Sequence, residues 1–185
     1  MAPLITEIVG TVGSAPSPGA VWVAPSSTGV LPEDCSTYAT VEDFQALFAT
    51  TEDIVMGSGD DGEGWRIDNA SWNMAEVHRC KWATAATGQT WPLYVTSLPA
   101  GEWAYERSAG VMTGEGSSQR VTDTIAGVDA ATFGCHVYSG FCSLDIVVAG
   151  NWIQFNAEQA PLGSLDDVRV ALRDLAERAV ARFSA

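Results

Sequence analysis

Four cysteines, Cys35, Cys80, Cys135 and Cys142, constrain this chain more than any other feature. None stands in a Cys-x-x-Cys spacing that would offer two thiolates to one metal, and an even number lets every cysteine pair. Complete pairing points to disulfides and so to an oxidising compartment, because cytosolic thiols are kept reduced. The alternative is four buried, reduced thiols in a cytoplasmic protein, since free cysteine is a common core residue.

A chain of 185 residues with 46% hydrophobic content has room for one sizeable domain and its own core. Nine Lys and Arg stand against 23 Asp and Glu, a net charge of −14. That balance argues against nucleic acid as a partner, because phosphate binding needs clustered cations to release counterions. No apolar run reaches the ~18 residues that a membrane span requires. The opening Met1-Ala2-Pro3-Leu4-Ile5-Thr6 lacks the basic and apolar regions of an export signal, so an extracytoplasmic location implies a leader or anchor upstream.

Residues 1–31 are rich in Pro, Gly and Ser and read as a tether or an arm, with one domain over 32–185. Thr40 with Asp43 three residues on forms a capping-box signature, and Val41, Phe44, Leu47 and Phe48 follow at helical spacing. The Gly/Asp-rich stretch from Met56 to Gly64 reads as a loop. Its Asp60, Asp61 and Glu63 lack the alternating oxygen ligands and terminal Glu of a calcium loop.

Strand-like alternation follows. In Val77 to Trp82 the period of two puts His78, Cys80 and Trp82 on one face, and Trp91 to Ser97 is a second strand, with Trp82 and Trp91 expected in the core. A short helix fits Gly101 to Ala109. Thr132 to Tyr138, Leu144 to Val148 and Trp152 to Ala157 then predict an antiparallel meander, turning at Gly150-Asn151. At the C-terminus Ser164 caps, Asp167 sits at the third helical position, and Leu165, Val168, Leu172, Leu175, Ala179 and Phe183 form an apolar stripe. The expected fold is α+β: an antiparallel sheet packed against a short N-terminal helix and a long C-terminal amphipathic helix, stapled by disulfides. Phe44, Leu47, Phe48, Trp82, Ile146, Val148, Phe155, Leu172, Leu175 and Phe183 should share one core.

The runs Cys35-Ser36-Thr37-Tyr38-Ala39-Thr40 and Cys80-Lys81-Trp82, with the same order of elements over about residues 32–183, resemble actinobacterial cell-envelope lipoproteins and extracellular sensor-type domains. That resemblance implies a PsbP-type α+β fold and a mostly non-enzymatic role. The even count, the strand placement of Cys80 and the short span from Cys135 to Cys142 favour the pairs Cys35–Cys80 and Cys135–Cys142. In the chain-entropy account these contribute about 4 and about 2.5 kcal/mol.

No catalytic residue, cofactor or metal ligand stands out. There is no Gly-x-Ser-x-Gly elbow and no phosphate loop, and His78 and His136 fall in strand-like segments as structural residues. Glu158 and the loop acids define no glycosidase pair without a known separation. Of seven tryptophans, Trp65, Trp72 and Trp103 flank loops and are the candidates for a binding surface. The expected function is a non-catalytic extracytoplasmic binding or sensor-like module for an envelope protein or a small apolar or glycan ligand. A structural or assembly subunit of an envelope complex or phage particle is the alternative, and a hydrolase stands third.

Overall fold

The structure, a computed structural model, describes residues 29–58, 77–86, 91–111, 120–136 and 139–183. In chain order these form α1 (Cys35–Tyr38), α2 (Val41–Leu47), β1 (Ile54–Ser58), β2 (His78–Thr84), β3 (Leu93–Leu98), α3 (Glu102–Val111), β4 (Val121–Asp123), β5 (Ala130–His136), β6 (Phe141–Val148), β7 (Asn151–Glu158) and α4 (Leu165–Phe183). The strands make one antiparallel sheet of seven in the order β1-β2-β3-β7-β6-β5-β4. Two meanders, β1 to β3 and β4 to β7, meet where β3 pairs with β7.

Short segments depart from the sequence expectation, among them α1, β4, the end of β1 and the β6–β7 turn. Met56, Gly57 and Ser58 close β1 and pair with Trp82, Lys81 and Cys80, so the Gly-rich stretch begins as a strand. The β6–β7 turn is Ala149-Gly150, one residue earlier than expected, and both have positive φ, 50° and 78°. A two-residue hairpin turn needs that left-handed backbone, which glycine supplies without steric cost. Asn151 is then free to open β7, where its side chain accepts from the Ala100 N–H and donates to the Gly29 carbonyl.

The period of two sorts the sheet into an apolar and a polar face. One cross-strand row runs Cys80, Val95, Phe155, Leu144, Phe133. It is buried in a cluster that also holds Tyr38, Phe44, Trp82, Ile146 and Ile153 and, from α4, Val168, Leu172, Leu175, Ala176, Ala179 and Val180. Of the expected core, Phe44, Trp82, Ile146, Phe155, Leu172 and Leu175 are fully buried, whereas Leu47, Phe48, Val148 and Phe183 pack at its margin. Leu165 is instead exposed, in the first turn of α4. Trp91 is half-buried, its ring 6.0 Å from the Lys81 ammonium and 3.2 Å from where a Cβ on Gly57 would stand.

The helices are fixed by caps and charges. Thr40 and Asp43 form the expected capping box, with bonds of 3.1 and 3.0 Å. Asp43 also pairs with Arg178 at 2.7 Å and Arg182 at 2.8 Å, and Arg182 donates to the Thr37 and Tyr38 carbonyls, tying α1 and α2 to the end of α4. Burial alone would raise the Asp43 carboxyl, but the Thr40 N–H and the two guanidiniums hold it below the usual range. Ser164 and Asp167 cap α4 reciprocally. Arg169 reaches Asp123 of β4 at 2.8 Å.

Both expected disulfides are formed. Cys35–Cys80 joins α1 to β2, and Cys135–Cys142 links directly paired positions of β5 and β6. Such bridges form and persist in oxidising environments. No described helix is long and apolar enough to cross a membrane. Residues 1–28 of the N-terminal arm lie outside the described residues, while Leu31 packs against the core and the Pro32 carbonyl accepts from the Tyr38 hydroxyl at 2.9 Å.

Candidate functional site

The face of the sheet turned away from α4 carries the chemistry. Alternation along β2, β3, β7, β6 and β5 places Arg79, Thr96, Gln154, Asp145 and Thr132 in one cross-strand row, and Lys81, Tyr94, Asn156, Ser143 and Gly134 in the next. These residues lie far apart in sequence and meet through the β3–β7 and β6–β7 pairings.

Asp145 is the anchor of the first row. It stands in the run Leu144-Asp145-Ile146-Val147-Val148 and is fully buried. Its carboxylate receives the Arg120 guanidinium at 3.0 Å, the Trp152 indole N–H at 2.9 Å, the Gln154 amide at 2.8 Å and the Ser143 hydroxyl at 3.4 Å. Arg120 also donates to Thr132 Oγ1 at 3.1 Å. A buried carboxylate is costly unless its lone pairs are matched, and here four donors converge on it. Burial still raises its carboxyl above the ordinary range, against the opposing pull of Arg120, Gln154, Trp152 and Ser143.

Next to this network lies a cavity of about 300 Å³ whose walls include Tyr94, Arg120, His136, Phe141, Ser143, Gln154 and Asn156. That volume is at the small end of ligand sites, about 300–1,000 Å³. Gly134, paired with Ser143, borders it without adding a side chain to the wall. The Tyr94 and Phe141 rings stand 5.7 Å apart at 50°, forming a tilted aromatic corner. The Arg79 guanidinium lies 5.4 Å from the Tyr94 ring centroid. Burial pushes the Tyr94 phenol above its usual range, so it is a neutral hydroxyl at physiological pH. Asn156 donates to Gln154 Oε1 at 3.1 Å, which orients both amides.

Among the described residues the wall therefore offers two aromatic faces, two amides, hydroxyls and one guanidinium, and no carboxylate. In a chain of net charge −14 that is a selective environment. His136 and Ser139 also border it, but imidazole Nδ1 faces the Ser139 backbone N–H at 3.2 Å, while the Ser139 hydroxyl donates to the His136 carbonyl at 3.5 Å. The hydroxyl is not aimed at the ring, so this pair is not arranged as an activated nucleophile.

Of the tryptophans singled out from the sequence, one lies among the described residues. Trp103 lies on α3, 53% exposed and outside the cavity wall, and Trp65 and Trp72 lie outside the described residues. Of the cysteines, Cys135 and Cys142 border the cavity, and Cys35 and Cys80 lie on the apolar side. The signal that could have found the pocket was Asp145, one acid in an apolar strand, because burial on both faces forces such a residue to have partners. No protein-family model, curated protein or solved structure matches this chain.

Proposed function

We propose that this chain is a non-catalytic binding module of an oxidising, extracytoplasmic compartment that holds a small, polar, uncharged ligand on the polar face of its sheet. The observation that carries the reading is the cavity beside the Asp145 network, walled by amides, hydroxyls and a tilted aromatic pair. Hydroxyls of a ligand both donate and accept, and so do Asn156, Gln154, Ser143 and Tyr94, while an aromatic corner takes the apolar face of a ring. A neutral sugar ring meets all of these demands. The Arg120 charge is engaged by Asp145 and adds little attraction for an anion. Because the network is anchored in strands, the site is preorganised, which lowers the entropic cost of binding.

The non-catalytic part of the proposal follows from the chemistry of the wall: Asp145 is committed to four donors, and His136 and Ser139 are not coupled for attack. The oxidising compartment follows from the two bridges, and a PsbP-type α+β architecture is the one we assign. Half-exposed Trp103 on α3 favours a second contact, with an envelope protein.

Native mass spectrometry of the oxidised protein against a panel of neutral mono- and disaccharides tests the reading. One sugar per chain is expected on the wild type and is lost in Asn156→Leu, with the sugar recovered chemically intact. Equal retention by Asn156→Leu and by Tyr94→Ala, or conversion of the bound sugar, contradicts it.

A further inference from the structure

We propose that Cys35, His78 and Cys80 form a redox-gated metal site that, once the Cys35–Cys80 bridge is reduced, binds one zinc ion through two thiolates and an imidazole. Alternation along β2 directs His78 and Cys80 to the same face, and Cys35 opens α1 directly opposite them. Imidazole Nε2 stands 3.2 Å from Cys80 Sγ and 3.7 Å from Cys35 Sγ. A tetrahedral zinc with bonds of about 2.0–2.1 Å to nitrogen and about 2.3 Å to sulfur holds those donor atoms about 3.6 Å apart. The observed distances bracket that edge, so the imidazole already occupies a ligand's place relative to both sulfurs.

While the sulfurs are bonded to each other neither carries the charge that ligation needs, and the site is closed to metal. Reduction by a dithiol supplies two electrons and two protons: the S–S bond breaks, two thiols form, and the dithiol becomes a disulfide. Zinc then displaces the two thiol protons, and Sγ of Cys35, Sγ of Cys80 and Nε2 of His78 become ligands, with water in the fourth position. The sulfurs must part to about 3.8 Å for this, and the 5.4 Å Cα separation allows it by side-chain rotation.

The donor set does not depend on the bridge to stay assembled. Tyr38 donates to the Pro32 carbonyl and bonds Ser97 Oγ at 3.1 Å, and Arg182 holds the Thr37 carbonyl at 2.9 Å, so α1 remains seated when the S–S bond opens. Thiolate and imidazole donors select zinc over magnesium or calcium, which take oxygen. The site thus exchanges a covalent staple between α1 and β2 for a metal one, independently of the polar-face cavity.

The test is a cobalt titration of the full chain, reduced with dithiothreitol and desalted anaerobically, followed by zinc. One equivalent of cobalt is expected to give tetrahedral visible bands and a thiolate-to-cobalt charge-transfer band, both removed by zinc. Oxidised protein should give neither. Cys35→Ala and Cys80→Ala should abolish the charge-transfer band, and His78→Ala should weaken binding at least about tenfold. A band of equal affinity in Cys35→Ala belongs to the other cysteine pair and overturns the assignment, as does the absence of bands in reduced protein that keeps its far-UV circular dichroism. If reduction melts the fold, zinc is expected to restore the spectrum, and failure to do so equally overturns it.

Discussion

Replacing Arg120 by methionine lowers the stability of the oxidised chain by about 3–5 kcal/mol at neutral pH, because the substitution strands the Asp145 carboxylate in the sheet. Arg120 is nearly buried, with 10% of its side chain exposed, and Asp145 is fully buried, so solvent does little to screen the pair. Trp152, Gln154 and Ser143 remain as donors, but none supplies a countercharge. The loss depends on pH in a definite direction. The folded-state carboxyl of Asp145 is already raised by burial, and losing Arg120 raises it further. The folded variant therefore takes up a proton before the unfolded chain does, and its stability falls as pH rises from the ordinary carboxylate range through the raised folded value. The penalty is full above that window and small below it. Urea denaturation at acidic and neutral pH measures both ends. An equal loss at the two pH values would show that the arginine acts through packing, and a loss below about 1 kcal/mol would show that the pair is solvated.

Leu172→Ala gives the second large effect, a loss of about 2–5 kcal/mol in the same measurement. Leu172 lies in the middle of α4 with no exposed surface, within the cluster that joins this helix to the apolar face of the sheet. Removing its terminal carbons leaves a cavity that the surrounding close-packed side chains fill only in part. Val170 on the same helix is 48% exposed, and its replacement by alanine should change stability by no more than about 0.5 kcal/mol. Comparable losses at the two positions would mean that α4 does not dock through the Leu172 stripe.

The contrast between these two residues marks what the amino-acid sequence made legible. Leu172 belongs to a periodic apolar stripe with a cap at its start, and both signals are local. The same holds for the capping box of Thr40 and Asp43 and for the alternation in β2, β3, β6 and β7, each close to its expected place. The segments missed were those where local signals conflict or run out. Gly57 and Ser58 complete β1 because β2 offers an edge to pair with, which overrides their turn preference. Strand β4 and helix α1, of three and four residues, are too short for any periodicity to register.

The cavity was less legible than the fold because its parts come together only through register. Tyr94 and Asn156 become neighbours through the β3–β7 pairing, which joins two meanders distant in sequence. The apolar stripes of β6 and β7 were plain, but their polar partners, Asp145 and Ser143 on one strand and Gln154 and Asn156 on the next, look like ordinary solvent-facing residues until the other face of the sheet is known to be buried too. Trp152, not counted among the candidate tryptophans, donates to Asp145, whereas Trp103 lies outside the cavity wall and Trp65 and Trp72 lie outside the described residues.

The most direct test of the binding account is a crystallographic fragment screen of the oxidised chain, soaked with a chemically diverse set of small polar compounds and read by where density is found. The account predicts that fragments concentrate in the cavity, a ring against Tyr94 and Phe141 and polar atoms on Asn156, Gln154 or Ser143. Fragments that collect around Trp103 or elsewhere on the surface and leave that cavity unvisited would contradict it.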